Sequence, residues 1–176
     1  NSPLLLSFLL SPFSFLSYVP LMFEQTRQRM NLALEMLIAQ LEGRDGELDA
    51  RAAPGAMTLR EQLSHLLGPE DADLPALLRT FSATTPPLVE IEPEGATYLS
   101  PARQRMTLAD YVEALRMVHR RVQIELGTLP EAVLERRRAR IPEWAAILGT
   151  DEVSLETYVL QRLETHWMEH AEGWLR

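Results

Sequence analysis

His166 and His170 stand four residues apart near the C-terminal end of the chain, where apolar residues recur at helical spacing. Taking Leu163 as reference and 100° per residue, Val159, Leu163, His166, Trp167, His170 and Trp174 fall within one sector about 100° wide. Bundle helices normally fill such a seam with Leu, Ile and Val. Burying an imidazole without a partner costs about 1–3 kcal/mol, so two in one seam require compensation. A shared metal ion would supply it, because i and i+4 side chains project from one face and their rings can converge on one cation. Carbonyl or carboxylate partners for two core histidines would also supply it. Trp167 and Trp174 read as seam residues of the same interface.

The composition bounds the chemistry. With 176 residues the chain is long enough for one domain with a substantial core, and 46% hydrophobic with 24% charged residues is ordinary for a globular protein. There is no cysteine, which excludes disulfides, iron–sulfur clusters and thiolate ligation. Any side-chain metal ligands must then be His, Asp or Glu. A net charge of −8 opposes binding to a phosphate backbone, and the basic runs Arg120-Arg121 and Arg136–Arg138 with Arg140 carry no interleaved aromatics. They read as solvated faces, and no nucleic-acid partner is expected.

Residues 1–23 contain no charge, are dominated by Leu, Phe and Ser, and are punctuated by Pro3, Pro12 and Pro20. Those prolines and the missing basic flank argue against a membrane span or a signal peptide. The expected organisation is an extension over 1–21, outside the fold and upstream of a natural start near Met22, and a helical domain over 22–176. A first helix carries Phe23, Met30, Leu34, Leu37, Ile38 and Leu41 and ends at Gly43. After the Pro54-Gly55 turn, Thr58 and Glu61 form a capping box for a second helix through Leu59, Leu63, Leu66 and Leu67. Gly68-Pro69 interrupts it, and helix resumes within 70–81. Pro86, Pro87, Pro93, Gly95 and Pro101 predict a long crossover over 84–106 without regular structure. Thr107 with Asp110 caps a third long helix ending at Gly127. A short helix near 130–138, a loop to about Asp151 and a last helix over about 152–175 complete an all-α four-helix bundle with one long crossover.

Three segments together resemble the DinB-like superfamily of four-helix bundles. The first runs from Pro54-Gly55 through Met57 and Thr58 to His65-Leu66, similar to that family's second-helix signature. The others are the amphipathic first helix and the C-terminal His166-x-x-x-His170. The resemblance covers about residues 22–176. It implies a metal site of three histidines, here His65, His166 and His170. Gln62 departs from the pattern, which usually has an apolar residue there, as does Gly68-Pro69, where the helix commonly continues. From the wheel alone His65 lies away from the centre of its helix's stripe and reads as a rim histidine. His119 reads as a satisfied boundary histidine beside the third helix's stripe.

Other chemistries fit less well. His166-Trp167-Met168-Glu169-His170 spells the inverted zinc-protease pattern, but only six residues follow it. Phosphate-binding glycine loops and a nucleophile elbow are absent, and no Glu-x-x-His supports a di-iron site. Three imidazoles leave a coordination position for substrate. The resembling superfamily includes thiol-dependent transferases, so what the resemblance implies is a cytoplasmic, divalent-metal-dependent enzyme acting on a small molecule, a thiol-dependent transferase or a hydrolase. Glu169 and Glu164 are candidate bases or supports of the ligands. Zinc, nickel, iron and manganese all accept imidazole, and a low-molecular-weight thiol is a candidate co-substrate. The alternative is a non-catalytic bundle that binds a ligand or protein partner. Pairing into a homodimer through an exposed apolar helix face is a further expectation.

Overall fold

A computed structural model describes residues 21–174 apart from Glu92 and Glu94, so the 1–20 part of the expected extension lies outside the described residues. Helix α1 spans Leu21–Leu41 and α2 spans Leu59–Leu67, followed by the short α3, Leu74–Thr80. Helix α4 covers Leu108–Gly127. The two predicted capping boxes form: the Thr58 and Thr107 hydroxyls accept from the Glu61 and Asp110 amides, and each acid side chain accepts from its cap residue's amide. Each supplies partners for amides that the helix geometry leaves open. Met30, Ala33, Leu37 and Leu41 of α1 are buried, as are Tyr111, Leu115, Val122 and Leu126 of α4. Helix α1 packs against α4 and the C-terminal helical run, and α2 packs against those same two. Helices α1 and α2 thus lie diagonally across the bundle, and α2 meets the C-terminal run directly. Among the described residues, no helix is long and apolar enough to cross a membrane.

The segment after α4 is more varied than the sequence suggests. Short helix α5 (Glu131–Leu134) precedes a small antiparallel pair, β1 (Arg138–Arg140) with β2 (Glu152–Ser154), and α6 (Ala145–Leu148) lies in the connection between the two strands. Ala139 faces Val153 across this pair, and both are buried. The crossover joins it, since Ser82 and Arg138 exchange two backbone hydrogen bonds and Val89 donates to the Arg140 carbonyl. Strands of three residues, each with one apolar position, leave too little alternation to be read from sequence. The expected helix start near 152 is therefore corrected. Residues 152–154 are strand, and Ser154 caps the helix by accepting from the Thr157 amide.

The C-terminal run is not a uniform α-helix. Helix α7 (Leu155–Leu160) passes into a π-helical turn at Gln161–Thr165 and then into α8 (His166–Gly173). A π turn inserts about one residue, so later residues lag by about 100° behind a continuous α-helix. That lag keeps Trp167 and Ala171 on the buried face with Leu155, Val159 and Leu163. It moves His166 and His170 to the flank facing α2, where both are half-buried, rather than to the centre of the seam. The uniform wheel placed them one sector too deep. Leu163→Ala is expected to destabilise the fold by about 2–5 kcal/mol in urea unfolding, because Leu163 is fully buried. Leu32→Ala, at an exposed position, should change stability by no more than about 0.5 kcal/mol. Equal effects would contradict this packing.

Candidate metal centre

His65 occupies the last turn of α2, which stops because Gly68 takes φ +73° and returns its amide to the His65 carbonyl at 2.9 Å. Only glycine enters that backbone region without strain. The Gly68-Pro69 departure from the family pattern is therefore the helix stop that leaves His65 at a helix end. The crossover then folds over it. The Ala96 carbonyl lies 2.6 Å from His65 Nδ1, and the Tyr98 ring lies nearly parallel to the imidazole at 6.3 Å. Tyr98 holds this place with φ +50°, an uncommon value for a residue with a side chain.

Arg103 ties the crossover to α2. Its side chain is almost wholly buried, and Nη1 donates to the carbonyls of Ser64 at 2.9 Å and Gly68 at 2.6 Å. Its own carbonyl accepts from the Tyr111 hydroxyl at 2.9 Å. The guanidinium thus satisfies helix-end carbonyls on either side of His65, and the main-chain carbonyl of the same residue ties the segment to α4.

Across from α2, α8 presents His166 and His170. His65 Nε2 and His166 Nε2 are 3.0 Å apart, and the three histidines bring one ligand nitrogen each to within 4.8 Å of one another. The ring centroids lie 4.9–5.3 Å apart. Hydrogen-bond chemistry fixes two of the tautomers. A carbonyl can only accept, so His65 Nδ1 carries its proton toward Ala96 and Nε2 keeps its lone pair. Gln62 Oε1 accepts from the Trp174 indole at 2.6 Å, which identifies it as oxygen, and it lies 3.2 Å from His170 Nδ1. His170 therefore also carries its proton on Nδ1 and offers Nε2 to the centre. With lone pairs from His65 and His170 converging, a proton on His166 can serve only one of them. A cation serves all three rings together. Nitrogens about 2.0–2.1 Å from a tetrahedral ion lie about 3.3–3.4 Å apart, close to the His65–His166 separation. The donor set fits a divalent metal.

Burial, reinforced by Arg162 and the neighbouring imidazoles, lowers the His166 pKa to about 3. Burial and His65 lower that of His170 to about 4. Both rings are thus neutral at pH 7, the form that ligates metal.

The remaining candidates fall elsewhere. Glu164 receives a two-pronged contact from Arg29 of α1, at 2.9 and 2.6 Å, and Glu169 is exposed to solvent. Neither belongs to the cluster of ligand atoms. His119 is buried, 3.4 Å from Gln123 Nε2, and lies outside that cluster. Sequence reasoning missed the supporting residues Gln62, Ala96, Tyr98 and Arg103. Gln62 stood out only as a departure from a pattern, although a polar residue three before His65 shares its helix face.

The fold and this cluster define a four-helix bundle whose second and last helices bring three histidines together. No protein-family profile matches the sequence, and no curated protein matches it. Among solved structures, the chain is similar to YfiT from Bacillus subtilis, described as "a probable metal-dependent hydrolase with an unusual four-helix bundle topology". The TM-score is 0.63 at 18% identity, over 86% of this chain and 84% of that one. At that identity the likeness establishes the fold, which is the one implied by the DinB-like resemblance.

Because native His166 and His170 resist protonation relative to an unfolded value near 6.5, the unfolded chain binds more protons below that pH. Their contribution to stability is full above about pH 6.5 and is lost as pH falls toward 4. Buried His119, lowered mainly by desolvation, acts in the same direction. The melting temperature of chelator-treated protein should fall between pH 6.5 and 4, and less steeply in His166→Gln. Identical slopes in the two proteins would contradict the assignment.

Proposed function

We propose that this chain is a divalent-metal-dependent enzyme acting on a small molecule, with His65, His166 and His170 as the protein ligands. The observation that carries the reading is the convergence of three ring nitrogens within 4.8 Å, two of them fixed as lone-pair donors by Ala96 and Gln62. When bound, such an ion supplies Lewis-acid chemistry, stabilising negative charge on a substrate carbonyl or on a water or thiol nucleophile. The chain's own residues supply the frame. Gln62 and the Ala96 carbonyl hold the Nδ1 protons outward and so fix ring orientation. Arg103 holds the crossover against the end of α2, and the π turn sets the angle from which His166 and His170 approach.

Hydrolysis is the favoured reaction class, since the similar fold of YfiT belongs to a protein described as a probable metal-dependent hydrolase. Transfer to a low-molecular-weight thiol, the other class implied by the resemblance, uses the same electrostatic chemistry. A non-catalytic bundle is the alternative, and metal content separates it from the enzyme.

Full-length protein without a polyhistidine tag should bind about one zinc ion per chain by calorimetry and elemental analysis. His170→Ala should abolish that uptake. Gln62→Leu should weaken it by about 10–100-fold while retaining the fold, the usual effect of removing a ligand's hydrogen-bond partner. Chelation should abolish hydrolysis or thiol transfer in a substrate screen, with zinc restoring it. A wild-type protein that takes up no metal, with unaltered stability in His170→Ala, would overturn the proposal in favour of the non-catalytic bundle.

A further inference from the structure

The two outward imidazole protons end on unlike partners. That of His170 goes to a side chain of α2, Gln62, whereas that of His65 goes to the main chain of the crossover, at the Ala96 carbonyl. None of residues 95–102 is buried, and none belongs to a helix or strand. Segments with few buried contacts open locally most readily, so polar anchors decide where this one lies. Arg103 is the first anchor, through the Ser64 and Gly68 carbonyls. Ser100 is the second. Its hydroxyl donates to Glu70 Oε1 at 2.6 Å and accepts from the Arg103 amide at 3.2 Å, while Arg103 Nε lies 3.6 Å from the same carboxylate oxygen. Ser100 thus fixes the short turn that carries Arg103. Between Ala96 and Ser100, the docked chain keeps Tyr98 at φ +50° with its ring nearly parallel to His65. A residue with a side chain stays in that backbone region only where its surroundings impose it.

We propose that segment 95–103 is a strap whose docking on α2 is coupled to metal binding at His65, with Tyr98 and Ser100 as positioning residues for that ring. The proposal rests on the metal reading above and adds a conformational consequence to it. An imidazole that shares its Nε2 lone pair with a cation donates more strongly from Nδ1, so the His65 contact with Ala96 tightens on loading. Linkage makes the effect mutual. Whatever docks the strap raises metal affinity by the same factor by which metal favours docking. Loading therefore closes the crossover over the His65 side of the centre, and metal loss loosens it.

The test uses the full chain, zinc-loaded and chelator-treated in parallel. Hydrogen–deuterium exchange in peptides covering 95–105 reads strap opening, and calorimetry reads zinc affinity. Zinc is expected to slow exchange there by about fivefold or more, the lower end of ordinary coupling between sites. Ser100→Ala and Tyr98→Ala should each speed that exchange in the chelator-treated protein and weaken zinc binding by about 3–10-fold. Ser82→Ala serves as the control, because Ser82 pairs with Arg138 at the β1 end of the crossover and its hydroxyl receives the Thr84 and Thr85 amides at 3.2 and 3.1 Å. Its zinc affinity should match the wild type. Exchange in 95–105 that ignores zinc in a protein that binds it, wild-type zinc affinity in either strap variant, or an equal loss in Ser82→Ala would overturn the strap and leave the metal reading standing. A wild-type chain that takes up no zinc overturns both.

Discussion

Imidazole lone pairs brought together without a carboxylate among them are the constraint around which this protein is arranged. Among the described residues, the cluster of ligand atoms contains histidine alone. Converging ring nitrogens of this kind repel in a partly dehydrated setting unless a proton or a metal lies between them. The surrounding structure over-determines their approach. Gln62 and Ala96 take the outward protons, and their hydrogen bonds resist both rotation of the rings and a shift of the proton to Nε2. Ligating histidines almost always carry such an outward hydrogen bond on the second ring nitrogen.

The same constraint accounts for irregularities elsewhere. His65 and His166 are 101 residues apart in sequence, so the centre exists only when α2 is docked against α8. The buried Arg103 joins the end of α2 to the crossover and, through Tyr111, to α4. The π turn rotates α8 so that Trp167 stays in the core while His166 and His170 face α2. A continuous helix could not satisfy both demands with this spacing of residues. Functional sites in helices are a common place for such turns.

Much of the helical frame is legible in the sequence, because apolar periodicity and capping boxes are local signals. Thr58 with Glu61 and Thr107 with Asp110 mark helix starts that the structure reproduces. The prolines of 84–106 mark a crossover in which, among the described residues, the one helical element is a short 3₁₀ turn, Arg103–Arg105. What escaped depends on tertiary context. The β1–β2 pair is too short to leave a pattern, and its partners include Ser82 and Leu88, far away in the chain. The π turn has no compositional mark in Gln161–Thr165, so a wheel of fixed period misplaced both C-terminal histidines by one sector. Meeting of the histidines was implied by family resemblance, not by the periodicity of α2. Gln62 illustrates the gap: a departure from a pattern proves to be the acceptor shared by His170 and Trp174.

X-ray absorption spectroscopy of the zinc-loaded protein addresses the central claim most directly, because it counts the groups around the ion. The account predicts three imidazoles and one further light atom at about 2.0–2.1 Å, with the multiple-scattering signature of histidine rings. A zinc environment of carboxylate and water oxygens, or one with fewer than two imidazoles, would contradict it.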